Sequence, residues 1–149
     1  MEDHASATPR RLVQLYLLAM LISLIGLGDA IYLTVHHITG RSVKCTVSSG
    51  CSAVLGSAYA TIADIPIAAL GALAYFVAFS LATLAAFGYV RARAWLVLVI
   101  APMFISTLWL LYLQAFVLRA YCDYCLLSAA MTLMLTAIVV VAYMTDRSR

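Results

Sequence analysis

Charged side chains are scarce in this sequence: they are 10% of its 149 residues, against about a quarter in an ordinary soluble domain. So little charge excludes a conventional water-soluble enzyme or binding domain. The basic residues are few and scattered, and the net charge is only +3, so no stripe or cluster exists that could track a nucleic-acid backbone. Cysteine is limited to four residues, and the spacing Cys45-x5-Cys51 is longer than that of a zinc knuckle. A metal site is therefore not expected. The first apolar run has no clear small-x-small cleavage site and exceeds the length of a secretory-signal core, so it is read as a retained span.

What the chain has instead is hydrophobic length, at 66% of all residues. Four runs, residues 12–33, 65–90, 94–118 and 126–144, reach or approach the roughly 20 apolar residues that a helix needs to cross a bilayer core. The expected fold is an all-α membrane protein, a four-transmembrane-helix bundle forming a single domain over residues 1–149. Arg10, Arg11, Arg91, Arg93, Arg147 and Arg149 flank one side of the spans, whereas Arg41, Lys44 and Arg119 flank the other. The positive-inside rule makes the arginine-rich side cytoplasmic, with both termini inside, as expected for a multi-pass protein of the cell (inner or plasma) membrane.

The connections are unequal. Short links join spans two to three and three to four, but residues 34–64 form one long loop between spans one and two, and long loops in compact folds usually carry function. Counting crossings puts this loop on the extracytoplasmic face together with the junction "AYCDYCLL" at residues 120–127. Cys45, Cys51, Cys122 and Cys125 all then lie where thiols are oxidised or exchanging disulfides. A fourth helix starting near Cys122 brings the sulfurs of Cys122 and Cys125 onto one face, within bridging reach. Unpaired backbone N–H groups and the helix dipole there favour a thiolate, so the first cysteine of the pair is expected to be the more easily ionised. It is also expected to be the more exposed, with Cys125 the buried sulfur. Two structural disulfides in a non-catalytic four-helix membrane adaptor remain an alternative use of the same residues.

The segment "CTVSSGCSAVLGSAYATIADIPIAALGALAY", residues 45–75, adds a pattern. Gly50 and the serines make the stretch between Cys45 and Cys51 flexible, residues 52–55 suit a short helix over the bundle, and Pro66 reads as the start of span two. Cys-x5-Cys in the first outer loop, Ser57 six residues on, the run into span two, and Cys-x-x-Cys opening the last span together resemble the vitamin K epoxide reductase family, particularly its bacterial branch. The resemblance implies an integral quinone reductase that drives disulfide formation. It implies that Cys122 and Cys125 are the pair facing a quinone, menaquinone or ubiquinone acting as electron-accepting substrate, and that Cys45 and Cys51 relay electrons to them. Ser57 matches the serine that the family places near the site. The implied partner is a separate thioredoxin-fold thiol oxidase, and the bilayer is the solvent. Ile67 and Ala129 stand where animal members carry an asparagine and a tyrosine near the quinone head.

Asp29 is the one ionisable residue inside a span, where a carboxylate is costly unless paired or wet. It is expected either to handle protons or to order the cysteine loop from the outer end of span one. His36 and His37 follow it closely and could move protons near a quinone. Gly26, Gly28 and Gly71 are expected to permit close helix approach.

Overall fold

The computed structural model describes residues 9–148, so Arg149, counted above, lies outside the described residues. Four long helices dominate: α1 (Arg10–Ile38), α3 (Ile67–Ala86), α4 (Val90–Tyr112) and α5 (Asp123–Arg147). A short α2 (Cys51–Leu55) follows the first half of the loop. All four long helices are long and apolar enough to cross a membrane once the continuation of α4 to Val117 is included. The protein is a membrane protein. Its outer surface carries exposed Leu17, Leu21, Leu24, Leu73, Phe76, Leu98, Ile105 and Val141, an apolar area that water would not tolerate and lipid matches.

The interior explains how such helices associate without a hydrophobic drive between them. Ala19, Ala78, Ala82, Ala85, Ala92 and Ala142 are buried at the interfaces, and small residues let helix backbones approach closely enough for dispersion contacts. Helix α1 packs most extensively on α3 and then on α5, while α4 bridges α3 and α5, so the helices follow one another around the bundle as α1, α3, α4, α5. Of the three glycines expected to mediate this packing, only Gly26 does. A Cβ there would lie 2.5 Å from Cζ and 2.8 Å from Cδ1 of Tyr75, whereas Gly28 faces nothing within 4 Å and Gly71 only reaches the Ala30 Cβ at 4.0 Å. Tyr75 cannot swing aside, because its hydroxyl donates to the Ser128 carbonyl at 2.8 Å and lies 2.7 Å from Thr132 Oγ1. Gly26→Ala is therefore expected to destabilise the bundle by about 1–3 kcal/mol through overpacking. Thermal unfolding in detergent checks this, and an unchanged midpoint would show that α1 and α3 separate freely at this contact.

Helix ends differ from the apolar runs in ways that local chemistry explains. At the end of α1, Gly40 (φ 64°) closes a turn in which Arg41 N–H donates to the His36 carbonyl and Gly40 N–H to that of His37. Gly88 (φ 93°) does the same after α3, with bonds from Tyr89 to Leu84 and from Gly88 to Ala85. Left-handed glycine is the usual stop for a helix because it lacks a Cβ. Helix α4 therefore begins at Val90, and Arg91 and Arg93 belong to its first turn instead of a linker. The start of α3 is also displaced, since Thr61–Ile62 and Ile65–Pro66 pair as a two-stranded antiparallel hairpin, β1 and β2, before Ile67 enters the helix.

The ends of the bundle are chemically distinct. At one end Arg93 of α4 pairs with Asp146 of α5 at 2.7 Å and lies over the Tyr16 ring of α1 at 5.9 Å. The loop and all four cysteines are at the other.

Candidate functional site

Three stretches that are distant in sequence converge at the cysteine end. In the first, Cys45 and Cys51 are joined by a disulfide with a Cα separation of 5.5 Å. Cys51 opens α2 and is 1% exposed, while Cys45 is only partly buried. In the second, Cys122 and Cys125 are thiols at the start of α5. In the third, the end of α4 widens into a π-helical turn, Leu113–Val117, marked by the Leu118 N–H to Leu113 carbonyl bond at 2.8 Å. Cys51 and Cys122 share one buried cluster with Leu33 and Val43, against which Cys45, Cys125, Val54 and Leu55 pack.

Cys122 is not within α5 but caps it. Its backbone is extended, and its sulfur accepts the Cys125 N–H at 3.4 Å, the place a serine or aspartate oxygen takes in an ordinary N-cap. The thiol is held below its usual value, first by the hydrogen bond from the Cys125 thiol and then by the N–H groups of Cys125 and Tyr124, with burial acting against them. The expected exposures are reversed. Cys122 is 0% exposed and Cys125 is the more accessible of the two. The reason is tertiary: the folded-over loop places Cys51 and Val43 on top of Cys122, while Cys125, one turn further on, opens toward a cavity.

That cavity has a volume of about 830 Å³ and lies among α3, α4 and α5 under the loop, within the range of sites that bury a sizeable organic ligand. Its walls are mostly apolar, with Leu70, Ala74, Pro102, Met103 and Leu110 among them, and Val54, Leu55 and the segment from Ser57 to Ile62 form a roof. Cys125 is part of the wall. Ile67 and Ala129 line it too, and their side chains offer no hydrogen bond. Polar groups come from other places: His37, Ser57, Gln114, Ser128, Thr132 and Tyr75.

Ser57 also donates to the Val54 carbonyl at 2.7 Å, which ties the roof to the end of α2. Asp29 is 9% exposed and its Oδ2 has no hydrogen-bond partner among the described residues. No hydrogen bond from Asp29 to the loop is found among the described residues. The two histidines diverge as neighbours on a helix must: His37 lines the cavity, whereas His36 packs its ring 4.4 Å from that of Tyr32.

Two residues that sequence reading passed over hold the site together. Gln114, 3% exposed in the π turn, accepts the Cys122 N–H on its Oε1 at 3.1 Å and the Ala120 N–H on its carbonyl at 3.2 Å. It is the one amide side chain in the apolar stretch of residues 108–118, which was the available signal, and π turns recur at functional sites. Asp123 is the other. Its carboxylate accepts N–H groups from Thr46 at 2.9 Å, Val47 at 2.7 Å and Ser48 at 3.1 Å, and the Ser48 hydroxyl donates to the Tyr121 carbonyl at 2.6 Å. No local pattern could announce an aspartate whose partners are more than seventy residues away. No group of three or more metal-ligating side chains is found among the described residues.

The arrangement suits electron transfer by thiol exchange: a disulfide with one sulfur near the surface, its other sulfur packed with a second cysteine pair, and that pair opening on an apolar chamber. Among known proteins, the sequence model of the Vitamin K epoxide reductase family matches residues 17–140.

Proposed function

The chain belongs to the vitamin K epoxide reductase family, a family of membrane oxidoreductases, and from that premise we propose that it oxidises an extracytoplasmic thiol protein and delivers the electrons to a membrane quinone. The observation that carries this reading is the shared burial of Cys51 and Cys122 beside a cavity whose wall includes Cys125. A thiolate of a thioredoxin-fold partner attacks Cys45, the partly exposed sulfur, and the loop disulfide opens with its electron pair on Cys51. A second partner thiolate releases the oxidised partner and leaves Cys45 reduced. Cys51 then attacks Cys122 in the oxidised pair, and the bond between Cys122 and Cys125 breaks with its electrons on Cys125. Cys45 resolves the mixed disulfide, which regenerates the loop disulfide and leaves Cys122 and Cys125 as a dithiol. That dithiol closes to a disulfide as two electrons and two protons convert the quinone to quinol. Each step before the last is thiol–disulfide exchange.

The chamber supplies the rest. Apolar walls favour a quinone arriving from the bilayer, whether menaquinone or ubiquinone, and the side-chain N–H groups of Gln114 and His37 on the wall are donors that could orient its carbonyls. His37 stands on the cavity wall as a route for protons, and the buried Asp29 is a second proton-handling group at the same end of α1. The test is quinone reduction by the purified protein with a dithiol donor, compared with the Cys125→Ser variant. Turnover in the native protein supports the oxidoreductase reading. No turnover, with both disulfides inert to dithiol and quinone, favours a membrane adaptor with structural cross-links.

The same reading sets the orientation. The arginine-rich end faces the cytoplasm and the cysteine end the oxidising compartment of a cell membrane. Single cysteines placed at the exposed positions Ser49 and Tyr121 should react with a membrane-impermeant reagent from outside, and one at Tyr89 only after permeabilisation. The reverse pattern would put the four native thiols in a reducing compartment and remove the basis for the proposed direction of electron flow.

A further inference from the structure

One carboxylate physically connects the two cysteine pairs. Asp123 lies between Cys122 and Cys125 in the chain, and its three backbone donors, Thr46, Val47 and Ser48, lie between Cys45 and Cys51. Thr46 N–H and Val47 N–H both converge on Oδ2, which also lies 3.3 Å from the Thr46 hydroxyl oxygen, while Oδ1 takes the shorter bond from Ser48. Charge-assisted bonds of this kind are the strong ones. On the other side of Cys122, the Ser48 hydroxyl binds the Tyr121 carbonyl, so the residues flanking the buried cysteine both hold the segment that links the loop cysteines.

We propose that Asp123 is a positioning residue for the relay: its carboxylate clamps the loop between Cys45 and Cys51 so that Cys51 stays in register with Cys122. The inference rests on the relay reading above. Thiol exchange needs the attacking sulfur in line with the bond it breaks, and a loop of serines and glycine has no stiffness of its own to provide that. As the first residue of α5, Asp123 moves with Cys122 as one rigid piece, so a loop held by Asp123 is held relative to its target. Asparagine at this position keeps one acceptor oxygen but turns an NH₂ group toward N–H donors. Alanine keeps neither acceptor.

The test uses the Cys125→Ser protein, in which Cys122 can still attack Cys51 of the loop disulfide with the electron pair leaving on Cys45, and an alkylating quench that caps the freed Cys45 thiol retains the Cys51–Cys122 bond. Mass spectrometry of digests measures its yield. Adding Asp123→Ala should lower that yield at least about fivefold, with Asp123→Asn intermediate, and Ser48→Ala should lower it less. In the protein with its native cysteines, Asp123→Ala should also speed amide exchange at Thr46, Val47 and Ser48 by about tenfold or more while exchange within α5 beyond Cys125 is unaltered. If Asp123→Ala does not insert or fold, the Asp123→Asn protein carries both measurements, and its yield should still fall below the parent's. An equal yield of the Cys51–Cys122 bond in parent and Asp123 variants overturns the positioning role and leaves the relay standing. Absence of that bond in the parent, or its replacement by a Cys45–Cys122 bond, overturns the assigned relay and the positioning role with it.

Discussion

Cys125→Ser is expected to lower dithiol-dependent quinone reduction by about three orders of magnitude or more, leaving a folded membrane protein. Serine differs from cysteine by one atom and is slightly smaller, and position 125 is only partly buried, so packing around it changes little. The chemistry changes completely. Without the second sulfur, Cys122 has no partner with which to close a disulfide, and the two electrons that convert a quinone to quinol have no dithiol source on the cavity wall. The measurement is steady-state quinol formation, with thermal unfolding of the same sample as the control. A rate within about tenfold of the native protein's would remove Cys125 from the reaction. A large loss accompanied by early unfolding would assign the effect to stability instead.

The second large effect is expected from a change that removes no reactive group. Gly50 immediately precedes Cys51, and its Cα sits against the backbone at Tyr121: a Cβ added there would lie 2.7 Å from the Tyr121 nitrogen, closer still to the Tyr121 oxygen, and 3.1 Å from the Ala120 carbonyl carbon. Backbone atoms beside an N-cap cannot rotate away as a side chain can. Gly50→Ala must therefore lift the loop off the Cys122 junction, and misplacement by about 1 Å can cost on the order of 100-fold in a reaction that depends on alignment. Turnover with a protein thiol donor should fall about 10- to 100-fold. The loop disulfide between Cys45 and Cys51 should still form, because the change lies outside the two residues it joins. Native turnover in Gly50→Ala would mean that the close approach over Tyr121 has no part in the relay. The glycine is ordinary in its own conformation, with φ −91°; what requires it is the neighbour it meets.

The sequence by itself determined that this chain lives in a bilayer, because four long apolar runs and so little charge leave no water-soluble alternative. Pro66 announces the entry to α3 through backbone chemistry that is local, and the pattern of cysteines, serine and proline was specific enough to place the chain in its family. Helices α1 and α3, however, stop at Ile38 and Ala86 and not at residues 33 and 90, where the apolar runs end. Hydrophobic runs were a poorer guide to exact boundaries, since apolarity continues through the hairpin at residues 61–66 and through the π turn, where backbone geometry and not lipid solubility decides. Tertiary structure alone decided which sulfur is covered. Position along α5 favours an exposed Cys122, yet the loop folds back to bury it and leaves Cys125 on the cavity wall. The same holds for Asp29, Gln114 and Asp123. An acid inside a span draws notice by its cost, but the acid that orders the loop is Asp123, whose significance comes from N–H groups at positions 46 to 48. Periodicity and motif spacing register what lies within a few residues, whereas the partners of a buried amide or a clamping carboxylate are chosen by how the chain closes on itself.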